Sequence, residues 1–484
     1  MRAFVITGPG RAEIQEVDPP VPGPGEVVVE VERAGVCGTD AEVFSGAMAY
    51  LRTGEARYPV RIGHEWAGRV CEVGDGVDPA WLGRRVTGDT MLGCGRCARC
   101  GSGRQHLCDD RYEIGIRHGW PGALAERLPV PVRALLPLPD TVDPGLGALV
   151  EPGGNALRAV RAAALAPGER LLVIGPGTIG LLAALMARAQ GVEVHLLGVT
   201  ERSLAFARSL GFTHTWTAPP VPEGEAGLEG VRVLEGPAGL QGAMGLEGPA
   251  GLKGAGPEGA RGLEGAAGLE GAAGLEGAAG LEGAGGLEGV VGLGGGGGLR
   301  GGGIEAAGAE IAGAEVLGKK AGDGAKARHA VKAGDGAKAG GDKAGDGAKA
   351  GHAAKADDRG KAGVGLDPSL RFDAVIDASN GAGSPALALD LVEPGRHVVF
   401  IGLSAEPSRL DTRRMVLKDV TAVGVLSASG GLAGTTDLYA SRQVDPRPLV
   451  AATVSLGEVA AVLAGERRLE WGDAPKIHVD PRLP

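Results

Sequence analysis

Four cysteines fall within fifteen residues, as Cys94-Gly-Arg-Cys97-Ala-Arg-Cys100 followed by Cys108. Intervals of two, two and seven residues, in a segment broken by Gly93, Gly95, Gly101 and Gly103, let four thiolates wrap one tetrahedral zinc and leave no open position, the mark of a structural site. The spacing also admits an iron–sulfur cluster, although no second cluster motif stands beside it. Another donor set is split between loops: Cys37 in Gly35-Val-Cys37-Gly-Thr39-Asp40, and His64 in Gly63-His64-Glu65-Trp-Ala-Gly68. A catalytic zinc keeps three protein ligands and an open position. Glu151, in Val150-Glu151-Pro152, is the candidate third ligand.

A dinucleotide fingerprint supplies the second chemistry. Leu171-Leu-Val-Ile174 reads as a buried strand running into Gly175-Pro-Gly177-Thr178-Ile179-Gly180 and then a helix. Gly175 permits the tight turn, Gly177 lets the backbone approach a pyrophosphate, and Gly180 allows helix to pack on strand. Thr178 and Ile179 complete the loop, and the helix N-terminus faces the phosphates. An NAD site offers a carboxylate to the ribose about twenty residues on. Here that position is Gly198, followed by Thr200 and Arg202, which favours the 2′-phosphate of NADP over NAD. Glu201 is the counter-argument, since a small shift of register would bring it to the ribose.

These groups need elements to carry them. Residues 1 to about 150 show short alternating runs, Glu26–Glu32 and Gly68–Val73, between turn residues, which predicts a β domain. Beyond it the pattern predicts a helix over Ala156–Ala166, a strand at Arg170–Gly175, a helix over Ile179–Gln190 and a strand at Val192–Leu197. Alternation of this kind implies a parallel sheet covered on both faces. It stops after Phe212–Thr217 and resumes at Phe372–Asp377, a helix over 384–392 and a strand at His397–Ile401. Between them glycine recurs every third residue over 236–254 and, in a shifted frame, over 259–301. A collagen-like triple helix needs proline at roughly 15–20%, yet Pro237, Pro249 and Pro257 are nearly all there is. A flexible glycine-rich insertion between two adjacent strands fits the composition better.

The net charge is −10, which speaks against nucleic-acid and anionic-membrane partners. The N-terminus lacks the basic and apolar regions of a signal peptide, and no apolar run is long enough to span a bilayer. Six cysteines, four of them clustered, suit metal ligation in a reducing compartment, so a cytoplasmic protein is expected.

The succession GVCGTD, GHEWAG, CGRCARC…C, EPGGNAL and GPGTIG resembles the zinc-containing medium-chain dehydrogenase/reductases over about 1–218 and 370–484. Within that family, Glu151-Pro152 resembles the sorbitol- and glucose-dehydrogenase-like members, and Gly154-Asn155-Ala156 the threonine dehydrogenases. The resemblance implies a GroES-like catalytic domain at 1–153 with its zinc lobe at about 93–109, and a Rossmann cofactor domain at 154–222 and 367–428. The insertion then occupies 223–366, and 429–484 returns to the catalytic domain. It further implies two zinc ions per chain, with Cys37, His64 and Glu151 holding the catalytic one and Glu65 as an alternate ligand. Thr39 matches a hydroxyl that starts a proton relay, and Glu42 stands where some members carry a relay histidine. Zinc acts in such enzymes as a Lewis acid that favours hydride loss from an alcohol to a nicotinamide.

Asp40, Glu113, His118 and Trp120 are candidates to border the substrate cleft, and the carboxylates suit a polyol, sugar or cyclitol. A threonine- or simple-alcohol-type NAD dehydrogenase is the alternative. An assembly protein built on the insertion, with a vestigial core, is a third reading, opposed by the intact Cys37, His64, Glu151 and glycine loop. Relatives of this kind imply a homodimer or homotetramer acting on a small molecule.

Overall fold

The structure, a computed structural model, describes residues 1–218, 365–366, 369–404 and 407–484. The expected insertion at 223–366 lies outside them except for Gly365 and Leu366, and Gly365 forms a parallel bridge with Thr217.

A seven-stranded sheet organises the β domain around Glu26–Val36, whose antiparallel neighbours include Glu65–Val73 and the C-terminal strand Lys476–Val479. Val27, Val29 and Val31 alternate inward onto a core with Trp66, Leu128 and Val130. Each fully buried side chain of this size contributes about 1.5–3 kcal/mol by leaving water. The pairing with Lys476–Val479 brings the chain's two ends into one layer, because residues more than 400 positions apart share a ladder.

A six-stranded parallel sheet forms the second layer system, in the order His214–Thr217, Glu193–Gly198, Arg170–Ile174, Phe372–Asp377, Val392–Phe400, Thr421–Gly424. Its central strand is apolar on both faces, as a sheet covered twice demands: Leu171, Leu172 and Val173 are fully buried. The fold is therefore α/β, a GroES-like β domain joined to a Rossmann-type sheet. One expectation fails here. Among the described residues the strands His214–Thr217 and Phe372–Asp377 follow one another in sequence but are not adjacent in the sheet, since two strands stand between them.

The helix predicted from Ala156 begins at Val150 and ends at Ala163. Glycines and a proline in its first turn hid the start, but Pro152 sits where a missing N–H is tolerated. Ala164, with φ of 52°, closes it in the left-handed region.

Candidate active site

The cysteine lobe hangs from short elements. Cys97 starts the turn of helix Ala98–Gly101, and its sulfur accepts the Cys100 N–H. All four thiols are free, with Cys94–Cys100 and Cys97–Cys108 sulfurs 4.0 and 3.8 Å apart. A tetrahedron with Zn–S bonds of about 2.3 Å has edges of about 3.8 Å, whereas a disulfide would need about 2.05 Å. The four sulfurs therefore fit zinc. Backbone N–H groups of Arg96 and Cys97 lower the Cys94 thiol to about 6, while burial pushes Cys100 up to about 11. A dication among them would favour the thiolate at every one. Glycine at 93 is required because a Cβ there would meet Cys100 Sγ at 2.6 Å.

Cys37 begins helix Gly38–Ser45, and its backbone N–H donates to Asp40 Oδ2 at 2.9 Å. The other Asp40 oxygen accepts from Gly63 N–H at 3.2 Å and stands 3.6 Å from His64 Nδ1. Asp40 is thus a tie between the two loops that carry Cys37 and His64. It was expected at the cleft, but it is fully buried behind the imidazole. Burial opposes protonation of His64, yet Asp40 outweighs it and holds the ring well above its ordinary value. His64 Nδ1 has no hydrogen bond although it is buried. Donor atoms of Cys37, His64 and Glu65 lie within 4.8 Å of one another, a thiol, imidazole and carboxylate set that fits zinc.

The two carboxylates nearby differ. Glu65 belongs to the close set, but both its oxygens accept from Lys476 Nζ at 2.8 and 2.7 Å, and Lys476 also donates to Val36 O. Glycine at 35 makes room for this carboxylate, because a Cβ would stand 2.0 Å from Glu65 Oε2. Glu151, on the first turn of helix Val150–Ala163, stands outside the close set and accepts from Asn155 Nδ2 at 3.0 Å. Burial pushes its carboxyl up to about 7, against the pull of His64. A cation beside it would restore the carboxylate.

Cys37, Thr39 and Glu42 line an open cleft that Gly177, Thr178 and Ile179 also line. Tyr50, Arg52, Asn380 and Lys476 also line it, none of them marked by sequence. Gly175 takes φ of 90°, and a Cβ on Gly180 would stand 2.0 Å from Gly175 O, so helix Thr178–Ala189 packs directly on the strand before it. Nothing lies within 4 Å of a Cβ placed on Gly177, which leaves the backbone open to a phosphate. Farther along, Thr200 caps helix Glu201–Ser209 and Glu201 pairs with Arg208. Arg202 reaches Asp473 Oδ1 at 2.7 Å and Gly472 O at 3.0 Å.

Glu113, His118 and Trp120 do not line the cleft. Glu113 is buried in an ion pair with Arg111, His118 packs edge-on against Tyr112, and Trp120 donates to Pro129 O. A third close set, Glu193, His195 and His214, lies on neighbouring strands of the parallel sheet.

Residues 23–140 match the alcohol dehydrogenase GroES-like domain. The L-threonine 3-dehydrogenase of Saccharopolyspora erythraea is 39% identical over 213 residues, 44% of this chain and 61% of that one. Its counterpart in Idiomarina loihiensis is 36% identical over 199 residues, 41% of this chain and 57% of that one. The chain thus spans less than two thirds of the length of these curated relatives. Among solved structures, an Escherichia coli short chain alcohol dehydrogenase complexed with NADH aligns at a TM-score of 0.63 and 18% identity over 99% of both chains. Galactitol-1-phosphate dehydrogenase from Escherichia coli aligns at 0.61 and 18%, over 99% of this chain and 100% of that one. At such identities the likeness is one of fold.

Proposed function

We propose that this chain is a zinc-containing medium-chain alcohol dehydrogenase that moves a hydride between a secondary alcohol and NADP, with a polyol, sugar or cyclitol as substrate, a reading supported by the match to the alcohol dehydrogenase GroES-like domain over residues 23–140. One observation supports the reading: Cys37 and Glu65, two members of the close Cys37–His64–Glu65 set, line the same cleft as Gly177, Thr178 and Ile179 of the glycine loop. Cys37 and His64 would hold the catalytic zinc together with a carboxylate, Glu65 from the close set or Glu151 as the family resemblance implies, and Cys94, Cys97, Cys100 and Cys108 would hold the structural one. A zinc held there would supply Lewis acidity toward the substrate hydroxyl, and a nicotinamide bound at the glycine loop would supply the hydride acceptor.

The chain's own groups do the rest. The Asp40 carboxylate, 3.6 Å from His64 Nδ1, favours the proton on that nitrogen and would leave the other ring nitrogen for the cation. Lys476 positions Glu65 by donating to both of its oxygens. Thr39 and Glu42 stand three residues apart on one helix face, a spacing that lets a hydroxyl pass a proton to a carboxylate. Burial pushes Glu42 up from the ordinary carboxylate range, which suits a group that must bind and release a proton.

NADP is preferred to NAD because Gly198 offers no carboxylate, and a Cβ there would meet Pro176 Cγ at 2.9 Å. Pairing with Arg208 also directs Glu201 away from the ribose. A second reading, oxidation of a 2-amino-3-hydroxy acid, draws on the threonine dehydrogenase relatives and on Glu42 and Arg52, which would meet an ammonium and a carboxylate.

Nicotinamide absorbance, followed with polyols, aldoses, simple alcohols and L-threonine against NAD and NADP, tests both. Zinc-dependent turnover is expected. None from folded, zinc-loaded protein would end both readings, and turnover of L-threonine alone would replace the first by the second.

A further inference from the structure

The strands Arg170–Ile174, Phe372–Asp377 and Val392–Phe400 lie side by side, and the loops that leave their C-terminal ends meet at Asp377, the last residue of the middle strand. Its carbonyl oxygen accepts from Ile401 and Gly402 N–H, both at 3.0 Å, while Ala378 donates to Ile174 O at 2.9 Å. The approach is close. A Cβ at Gly402 would stand 1.6 Å from Ser379 O, and one at Gly175 would stand 3.1 Å from Ser379 Cα. Ala378, Ser379, Asn380 and Gly402 line the cleft shared with Cys37 and Gly177. A dinucleotide lies across the crevice where a parallel sheet reverses its strand order, with the adenosine ribose at the strand that follows the glycine loop. Glu193–Gly198 is that strand here, so a nicotinamide would fall on the other side, over the ends of Phe372–Asp377 and Val392–Phe400.

The Asp377 side chain is buried, and so are Ser379 and Ser384 around it. Four oxygen pairs stand at 2.7 Å: Ser379 Oγ with Asp377 Oδ1, Ser379 Oγ with Ser384 Oγ, Ser384 Oγ with Asp377 Oδ2, and Ser384 Oγ with Gly381 O. A contact of that length between oxygens is a hydrogen bond and needs a proton between its atoms. Two hydroxyls bring two protons, so an ionised carboxyl leaves two of the four contacts between bare oxygens. A protonated Asp377 supplies a third. It donates from Oδ2 to Ser384, Ser384 donates to Gly381 O, and Ser379 donates to Asp377 Oδ1. Among the described residues no cation pairs with this carboxyl: burial pushes it up from its ordinary range, and only the two hydroxyls and the Ser379 N–H pull it back.

We propose that Asp377 works as a neutral carboxylic acid and is a positioning residue for the nicotinamide: its hydrogen bonds with Ser379 and Ser384 set the loop at 378–384 against which the nicotinamide lies. A neutral acid both donates and accepts, which closes the ring of bonds, whereas its anion can only accept. The inference rests on the nicotinamide cofactor of the proposed function and not on the preference for NADP.

Calorimetric titration of the full chain with NADH, NADPH and ADP-ribose, which lacks the nicotinamide, requires no alcohol substrate. Asp377→Asn replaces the acid by an amide that likewise donates on one side and accepts on the other, and is expected to keep all three affinities within about twofold of the parent. Asp377→Ala opens the ring and is expected to weaken the preferred reduced cofactor about tenfold and ADP-ribose less than about twofold. Should Asp377→Ala fail to fold, Ser384→Ala removes the acceptor of the acid's proton and is expected to weaken the same cofactor about fivefold. The infrared carbonyl band of a protonated carboxyl at neutral pH is expected to diminish from the parent to Asp377→Asn. A loss in Asp377→Asn as large as that in Asp377→Ala would show that the anion is required and overturn the neutral acid. An equal loss of ADP-ribose would overturn the positioning of the nicotinamide. A parent chain that binds neither NADH nor NADPH would instead end the cofactor reading on which the inference rests.

Discussion

Two regions of this molecule offer nearly the same donors at the same separation and yet are wired for different ends. Cys37, His64 and Glu65 form one close set, and Glu193, His195 and His214 form another. Around His64 the outer partner is a carboxylate: Asp40 faces Nδ1 at 3.6 Å, itself anchored by two backbone N–H groups. A carboxylate beside Nδ1 favours the proton there by its charge and leaves the other nitrogen for a cation. Around His195 the outer partner is a donor. Trp216 Nε1, which has no lone pair to give, donates to His195 Nδ1 at 3.1 Å. The proton of a neutral ring must then sit on Nε2, where Glu193 accepts it at 2.8 Å. Both ring nitrogens of His195 are thus engaged, one accepting and one donating, and His214 stacks on the ring with centroids 4.4 Å apart, a ladder of side chains in which His195 has no lone pair left for a cation. The chemistry of a histidine is decided by what stands behind it.

The largest effect should come from the first set itself. Cys37→Ser and His64→Ala are expected to lower kcat/KM about a thousandfold or more and to remove one zinc per chain while leaving the cysteine-lobe zinc bound. Elemental analysis beside kinetics reads both; loss of neither zinc nor activity would erase the distinction between the two regions. His195→Ala should change neither zinc content nor kcat.

Next comes the cation behind Glu65. Lys476→Met leaves a carboxylate buried without its partner, a change expected to cost about 3–5 kcal/mol of stability. The double variant Lys476→Met, Glu65→Gln should regain most of it in urea unfolding. If the single variant is as stable as the parent, Lys476 does not hold Glu65 as described. A smaller loss is expected for Asp40→Asn, about 10–100-fold in zinc affinity, measured by competition with a chelator. The corresponding change behind the other histidine, Trp216→Phe, should leave zinc binding unaltered.

What could be read in the sequence, and what could not, divides along chain distance. The four-cysteine lobe, the Cys37 and His64 loops and the glycine loop are local patterns whose residue types carry their chemistry within a few positions. Lys476 acts on Glu65 from 411 positions away, and Asp473 meets Arg202 from 271 positions away. No short pattern marks such contacts, since they exist only because the chain's end returns to the first sheet. Asp40 was misjudged for another reason: an aspartate in a glycine-flanked loop reads as solvated until two backbone donors are seen to enclose it. The His195 ladder escaped because its members alternate along two strands, and their meeting depends on a register that no local signal fixes.

The ladder makes the last and smallest prediction. Burial outweighs Glu193 and holds His195 below its ordinary value of 6.5, so the folded ring stays neutral where the unfolded one takes up a proton. As pH falls below 6.5 the unfolded chain therefore gains protons first, and stability declines with a slope of at most about 1.4 kcal/mol per pH unit from this group. The contribution is fully present above the unfolded value and is lost as pH falls toward the folded one. His195→Gln keeps an acceptor for Trp216 but cannot titrate, so its stability between about pH 5 and 6.5 should fall less steeply than the parent's. Parallel curves for the two proteins would mean that His195 takes up a proton in the fold, and that its Nδ1 is not committed to Trp216.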